Sequence, residues 1–159
     1  MQKIITYLWF DNQAEEAAQF YTSLFEDSRI VHVARYGEGG PGPAGTAMTV
    51  KFELAGQEFL ALNGGPHFQF NEAISLLVNC DTQQEVDELW AKLTKDGQPS
   101  QCGWLKDRYG LSWQIIPTAL PKLLTDPDPA RSQRAMKAML GMQKIDIGEL
   151  RRAADGVAA

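Results

Sequence analysis

Hydrophobic positions set the first elements. Residues 2–10 are nearly all apolar, and Ile4, Ile5, Tyr7, Trp9 and Phe10 predict a strand. The period then changes. Ala14, Ala17, Ala18, Tyr21, Leu24 and Phe25 recur at helical spacing and predict an amphipathic helix of about three turns. Asn12, followed three residues later by Glu15, predicts a capping box at its start. Strands follow at 29–36, 46–54 and 57–63. In the second of these Met48, Val50, Phe52 and Leu54 alternate with Ala47, Thr49, Lys51 and Glu53, and Ala55-Gly56 predicts a hairpin into the third. The segment 37–45 holds five glycines and two prolines, which predicts a mobile loop. It lacks the Gly-Lys-Ser/Thr ending and following helix of a phosphate cradle.

The pattern then restarts. Residues 73–80 predict a strand, and Thr82 with Glu85 a second capping box. Val86, Leu89, Trp90 and Leu93 form a second helical stripe, and Gly97 stands where that helix would end. Glu85 echoes Glu16, Trp90 echoes Tyr21 and Leu77 echoes Leu8, all at a spacing of 69, as an internal duplication would produce. Shorter strands are expected near 98–102 and 103–107, and a longer one at 112–117. Beyond Pro117 the chain turns helical. Asp128-Pro129 starts a helix with the apolar stripe Ala135, Met136, Met139 and Leu140, and Asp146 with Glu149 caps a last short one. The expected division is a domain over 1–118, with modules of about 1–66 and 67–118, and a helical tail over 119–159. That tail packs on the domain or on a second subunit.

Composition changes the picture only by exclusion. The 159 residues are 44% hydrophobic and 22% charged, with a formal net charge of -5. The basic residues Arg131, Arg134, Lys137, Lys144, Arg151 and Arg152 are interleaved with acids, so neither nucleic acid nor a membrane is expected as a partner. The N-terminal segment has no signal-like cleavage site, and no apolar run is long enough to span a bilayer. Cys80 and Cys102 are then two reduced thiols of a cytoplasmic protein.

Two βαβββ units, each a sheet beside one helix, give an α+β fold. Particular residues carry a resemblance: Leu8-Trp-Phe-Asp11, Ala14-Glu-Glu-Ala17, Phe20-Tyr21, Leu62-Asn-Gly-Gly-Pro-His-Phe68 and Val78-Asn-Cys-Asp81. The most specific is the run Cys102-Gly-Trp-Leu-Lys-Asp-Arg-Tyr-Gly-Leu-Ser-Trp-Gln114. Over residues 2–118 the chain resembles the PhnB-like branch of the vicinal oxygen chelate superfamily, which includes glyoxalases, bleomycin-resistance proteins and dioxygenases. More narrowly it resembles proteins labelled with a 3-demethylubiquinone methyltransferase domain. The resemblance implies an eight-stranded cup with a small-molecule site at its mouth, and a homodimer for which the apolar tail offers surface.

Metal-dependent members of that superfamily hold a divalent ion with His or Gln on the first strand of each module and Glu on the last. Here the first-strand position falls on Ile5 or Thr6 and on Ile74 or Ser75. The late Glu is replaced by Gln114, and its first-module counterpart lies near Ala61 to Asn63. A neutral set offers no charge to offset stripping water from a cation, so no metal and no other cofactor is expected. A metal-dependent lyase, isomerase or dioxygenase would need other ligands, from Glu53, Glu58, Glu72 or His67. The methyltransferase label is disfavoured, because the turn Asp11-Asn-Gln-Ala14 lacks the glycines of a nucleotide-binding turn.

The candidate chemistry is thin. His67 is the candidate acid/base, against the plainer possibility of a loop histidine; His32 is expected to be an ordinary strand residue. Trp9, Asn63, Ser75, Trp104, Lys106, Tyr109, Trp113 and Gln114 are the candidate ligand-binding residues, with aromatic walls and a cation suited to an aromatic or anionic molecule. The competing account of 104–113 is a hairpin whose aromatics pack and whose charged residues face water.

Overall fold

The computed structural model describes residues 2–157, in two compact units, one ending at Phe70 and the other beginning at Asn71. The first comprises β1 (Thr6–Phe10), α1 (Ala14–Leu24), β2 (Arg29–Arg35), β3 (Ala47–Leu54) and β4 (Gln57–Asn63). Its sheet has the order β1-β4-β3-β2, with β1 parallel to β4 and the other pairs antiparallel. Ala55 and Gly56 both have positive φ, as a tight two-residue hairpin between β3 and β4 requires.

The second unit repeats the plan with β5 (Ser75–Cys80), α2 (Gln83–Thr94), β6 (Gln98–Pro99), β7 (Trp104–Lys106) and β8 (Ser112–Pro117). The order is β5-β8-β7-β6, with β5 parallel to β8. Each unit is therefore a βαβββ module with its own four-stranded mixed sheet. β6 and β7 are shorter than expected. Ser100–Gly103 turns instead of extending, and Cys102 and Gly103 both take positive φ.

Strand alternation explains which side chains are buried. In the first module Leu8, Phe10, Val50, Phe52, Phe59 and Ala61 are buried, as are Ala14, Ala17, Ala18 and Tyr21 of α1. Phe52 stacks on Phe59 at 5.5 Å and lies 6.5 Å from Tyr21. In the second module Val86, Leu89 and Leu93 of α2 are buried, together with Leu105, Trp113 and Ile115.

The duplication has a different register from the one the sequence suggests. The helices do start 69 apart, at Ala14 and Gln83. The strands are offset by one residue more. Phe10 and Cys80 are the last ladder residues of β1 and β5, and their carbonyls accept from Gly64 N and Thr118 N in the same way. Leu77 is therefore the counterpart of Tyr7, not of Leu8. Tyr7 and Leu77 are 52% and 51% exposed, whereas Leu8 is 5% exposed. A one-residue slip reverses a strand's facing, so the Leu8–Leu77 echo is a coincidence of composition.

Two helix starts also differ. Thr82 caps α2 as expected: its Oγ1 accepts from Glu85 N at 3.2 Å, and Glu85 Oε2 accepts from Asp81 N at 2.9 Å. The Asn12 box does not form. The N-cap of α1 is Gln13, without a local side-chain bond, and Ala14 N donates to Asn63 Oδ1 at 2.8 Å from the end of β4.

The tail, α3 (Ala119–Leu124), α4 (Pro129–Leu140) and α5 (Ile147–Ala154), belongs to the second unit. Leu120, Met142, Ile145 and Leu150 cluster with Ile116 of β8. Cys102 N and Gly103 N donate to the carbonyls of Met142 and Gln143, both at 2.8 Å. The Gln83 amide bonds Ile145 O at 2.9 Å and accepts from Ile147 N at 2.8 Å. Asp128 and Asp146 cap α4 and α5 as the sequence predicts.

Candidate ligand site

In the first module, alternation puts Trp9 on the face of β1 opposite Leu8 and Phe10. Its Nε1 donates to Gly65 O at 3.0 Å, and Phe68 meets its ring edge-on at 4.9 Å. A Cβ at Gly64 would fall on the Trp9 ring, so only glycine permits this close approach. Next to this lies a cavity of about 820 Å³ lined by Asp11, Asn12, Tyr36, Asn63, His67 and part of the glycine-rich loop. His67 is exposed on its wall. Asn63 lines the same space, but both ends of its amide are already engaged. Oδ1 takes Ala14 N, Nδ2 donates to Ala47 O at 3.0 Å, and its own carbonyl accepts from Tyr36 Oη at 3.0 Å.

In the second module, Ser75, Trp104, Lys106 and Gln114 share one face of the sheet. Register sets Ser75 opposite Ser112, Trp104 opposite Gln114, and Lys106 opposite Ser112. Gln114 Nε2 donates to Ser75 Oγ at 2.9 Å. Trp104 and Lys106 line a cavity of about 150 Å³ together with Glu72, Pro99 and Ser112. Lys106 pairs with Glu72, and this bond, followed by the ammonium charge, holds the Glu72 carboxyl below its ordinary range. Ser112 was not singled out from the sequence. It is 1% exposed, and its Oγ is buried without a hydrogen-bond partner. A serine in a strand carries no sequence signal for that; only the register reveals it.

Two candidates from the same run stand elsewhere. Trp113 points to the opposite face, is 1% exposed, and donates from Nε1 to Asp107 Oδ2 at 2.9 Å. Tyr109 sits in the turn beyond β7, where its N–H donates to Asp107 Oδ1 at 2.8 Å. Asp107 is itself buried and also accepts from Leu111 N at 3.1 Å. It does not face water, as a simple solvated hairpin would have it. The Asp-x-x-Gly turn is closed by Gly110 N on Asp107 O at 2.9 Å.

The register also aligns the positions at which the resemblance would place a metal ligand. The counterpart of Gln114, which pairs with Leu77, is Leu60, which pairs with Tyr7. This moves the first-module position back from Ala61–Asn63. By the same correspondence Ile5 matches Ser75. Neither Ile5 and Leu60 in the first module nor Ser75 and Gln114 in the second provides a carboxylate or imidazole. Among the described residues no three His, Cys, Asp or Glu side chains are grouped to hold one. Of the alternative ligands, the three carboxylates are paired with cations: Glu53 with Arg29, Glu58 with Lys51, Glu72 with Lys106. No helix among the described residues is long and apolar enough to cross a membrane.

A family model described as 3-demethylubiquinone-9 3-methyltransferase matches residues 2–116. Among solved structures, the PhnB protein of Bacillus cereus, a candidate 3-demethylubiquinone-9 3-methyltransferase, is 43% identical. The match covers 74% of this chain and 100% of that one, with a TM-score of 0.70. A Pseudomonas aeruginosa protein is 20% identical over 74% of this chain and 98% of its own, with a TM-score of 0.61. A glyoxylase/bleomycin resistance protein/dioxygenase domain from a Frankia species is 14% identical over 74% and 92%, with a TM-score of 0.46. Among curated proteins no sequence matches the chain.

Proposed function

The chain belongs to the 3-demethylubiquinone-9 3-methyltransferase family, with the PhnB protein among its relatives, and from that premise we propose that it is a vicinal oxygen chelate protein that binds a small aromatic or anionic molecule without the metal used by metal-dependent members of that superfamily. One observation carries this reading. Four of the candidate residues, Ser75, Trp104, Lys106 and Gln114, lie on one sheet face, and Trp104 and Lys106 line the same cavity. An aromatic wall beside a cation recognises such ligands by stacking and charge. In the first module His67 lines the larger cavity beside Asp11 and Tyr36 and is the candidate acid/base there. The reading includes a homodimer, with Met136 and Leu140 exposed on α4 as its apolar surface.

The methyltransferase alternative is less well supported. The turn between β1 and α1 has no glycine, and Asn63 already occupies the first free N–H of α1.

Elemental analysis of untagged protein should find divalent metal well below one equivalent. Titration with single-ring aromatic and anionic fragments should shift the NMR resonances of Trp104, Lys106 and Gln114. Stoichiometric metal, or no response on that face to any fragment, would overturn the proposal.

A further inference from the structure

We propose that the second module's cavity takes a single-ring aromatic carboxylate, and that Glu72 is the internal stand-in for that carboxylate. The inference rests on the small-molecule reading above and commits it to one ligand class. Size comes first. The cavity holds about 150 Å³, and a cavity on the order of 150 Å³ accommodates one benzene ring. Trp104 and Pro99 supply apolar wall for such a ring.

The polar end is equally specific. Lys106 is the one cation among the lining residues, and it stands opposite Ser112 across the β7–β8 ladder. The Ser112 Oγ, buried and unpartnered, is a hydroxyl in want of an acceptor. One cation and one hydroxyl suit a monoanionic carboxylate; a phosphate dianion calls for more positive charge. A carboxylate already occupies Lys106, that of Glu72. Glu72 precedes β5 outside any helix or strand and is exposed, so its side chain can swing into solvent when a ligand's carboxylate arrives.

The test is calorimetric titration of the full chain with benzoate, using benzamide and acetate as controls, on the parent and on Glu72→Gln, Lys106→Met and Ser112→Ala. Circular dichroism checks that each variant folds. Glu72→Gln should bind benzoate about three- to five-fold tighter, the scale of one exposed ion pair. Lys106→Met should lose binding at least about ten-fold, as for a hydrogen-bonded charge pair, Ser112→Ala should weaken it, and both controls should bind worse than benzoate. Equal affinities in the parent and Glu72→Gln would overturn the stand-in role. Silence toward benzoate in every variant, while other fragments still shift Trp104, would overturn the ligand class and leave small-molecule binding intact. Silence toward every fragment would overturn both.

Discussion

Asp107 and Trp113 form a buried pair: the indole Nε1 donates to Oδ2 at 2.9 Å while Oδ1 takes the amides of Tyr109 and Leu111. The carboxylate thereby ties the turn after β7 to the start of β8. Replacing Asp107 with Asn sets an amide NH₂ against one of these donors and should cost about 1–3 kcal/mol. Trp113→Phe should cost a similar amount. Because each change breaks the same bond, urea unfolding of the double variant should show less than the summed loss. Additive losses would mean the bond contributes nothing.

Asn63→Ala should destabilise the first module by about 1–2 kcal/mol, the scale of a lost helix cap. It removes the partner of Ala14 N and the bond to Ala47 O together. Hydrogen exchange at Ala14 should rise in this variant. Unchanged protection there would show that the cap is redundant.

Gly97 lies where the chain leaving α2 passes β7. A methyl group there would strike the carbonyl oxygen of Lys106 and the backbone of Asp107. Gly97→Ala should therefore destabilise by about 1–3 kcal/mol, as overpacking against rigid atoms does. Thermal denaturation showing a neutral or stabilising effect would contradict the close approach.

Burial pushes the Cys80 thiol up to about 12, and the charges of Glu85 and Asp81 add to the shift. The folded thiol therefore stays protonated where the unfolded one, near pH 8.5, ionises. Its contribution to stability is complete below that pH and lost as pH rises toward 12. At pH 8, Ellman's reagent should modify Cys102, which is partly exposed, and reach Cys80 only after denaturant is added. Prompt modification of both thiols in native protein would refute this.

At the acid end, Asp126 is held below its ordinary range first by the backbone N–H of Asp128 and then by Arg131. Asp87 is held down by the Gln83 amide and by Lys144. A depressed carboxylate stabilises the fold above its unfolded pKa of about 3.9, and the contribution disappears as pH falls below that. The second module should lose stability below about pH 4, and Asp126→Asn should flatten that dependence. An unchanged acid limb would exclude Asp126 as a contributor.

Local patterns in the sequence disclosed much of this architecture. Alternation in 46–54 shows that Val50, Phe52 and Leu54 of β3 are buried, although at the start of the strand Ala47 is buried and Met48 exposed; the stripe from Ala14 to Tyr21 shows the face of α1, and Thr82 with Glu85 marks the start of α2. Each is a relation between residues a few positions apart, and short-range geometry suffices to express it. Trp104 and Lys106 are two apart on β7 and so share a face, a relation that short-range geometry also expresses.

The tertiary structure decided whatever depends on pairing between distant segments. Only the β1–β4 and β5–β8 registers show that Leu77 corresponds to Tyr7, and that Leu60 stands where Gln114 does. Only the return of β4 beside β1 brings Asn63 to the end of α1, where it displaces the box expected at Asn12. Trp113 and Gln114 are neighbours in sequence, yet one belongs to the core and the other to the candidate site. A strand's period of two gives adjacent residues opposite faces, but which face meets the helix is set by the partner strand. The chain thus encodes its elements locally, while the destination of each side chain is fixed only when remote backbones hydrogen-bond.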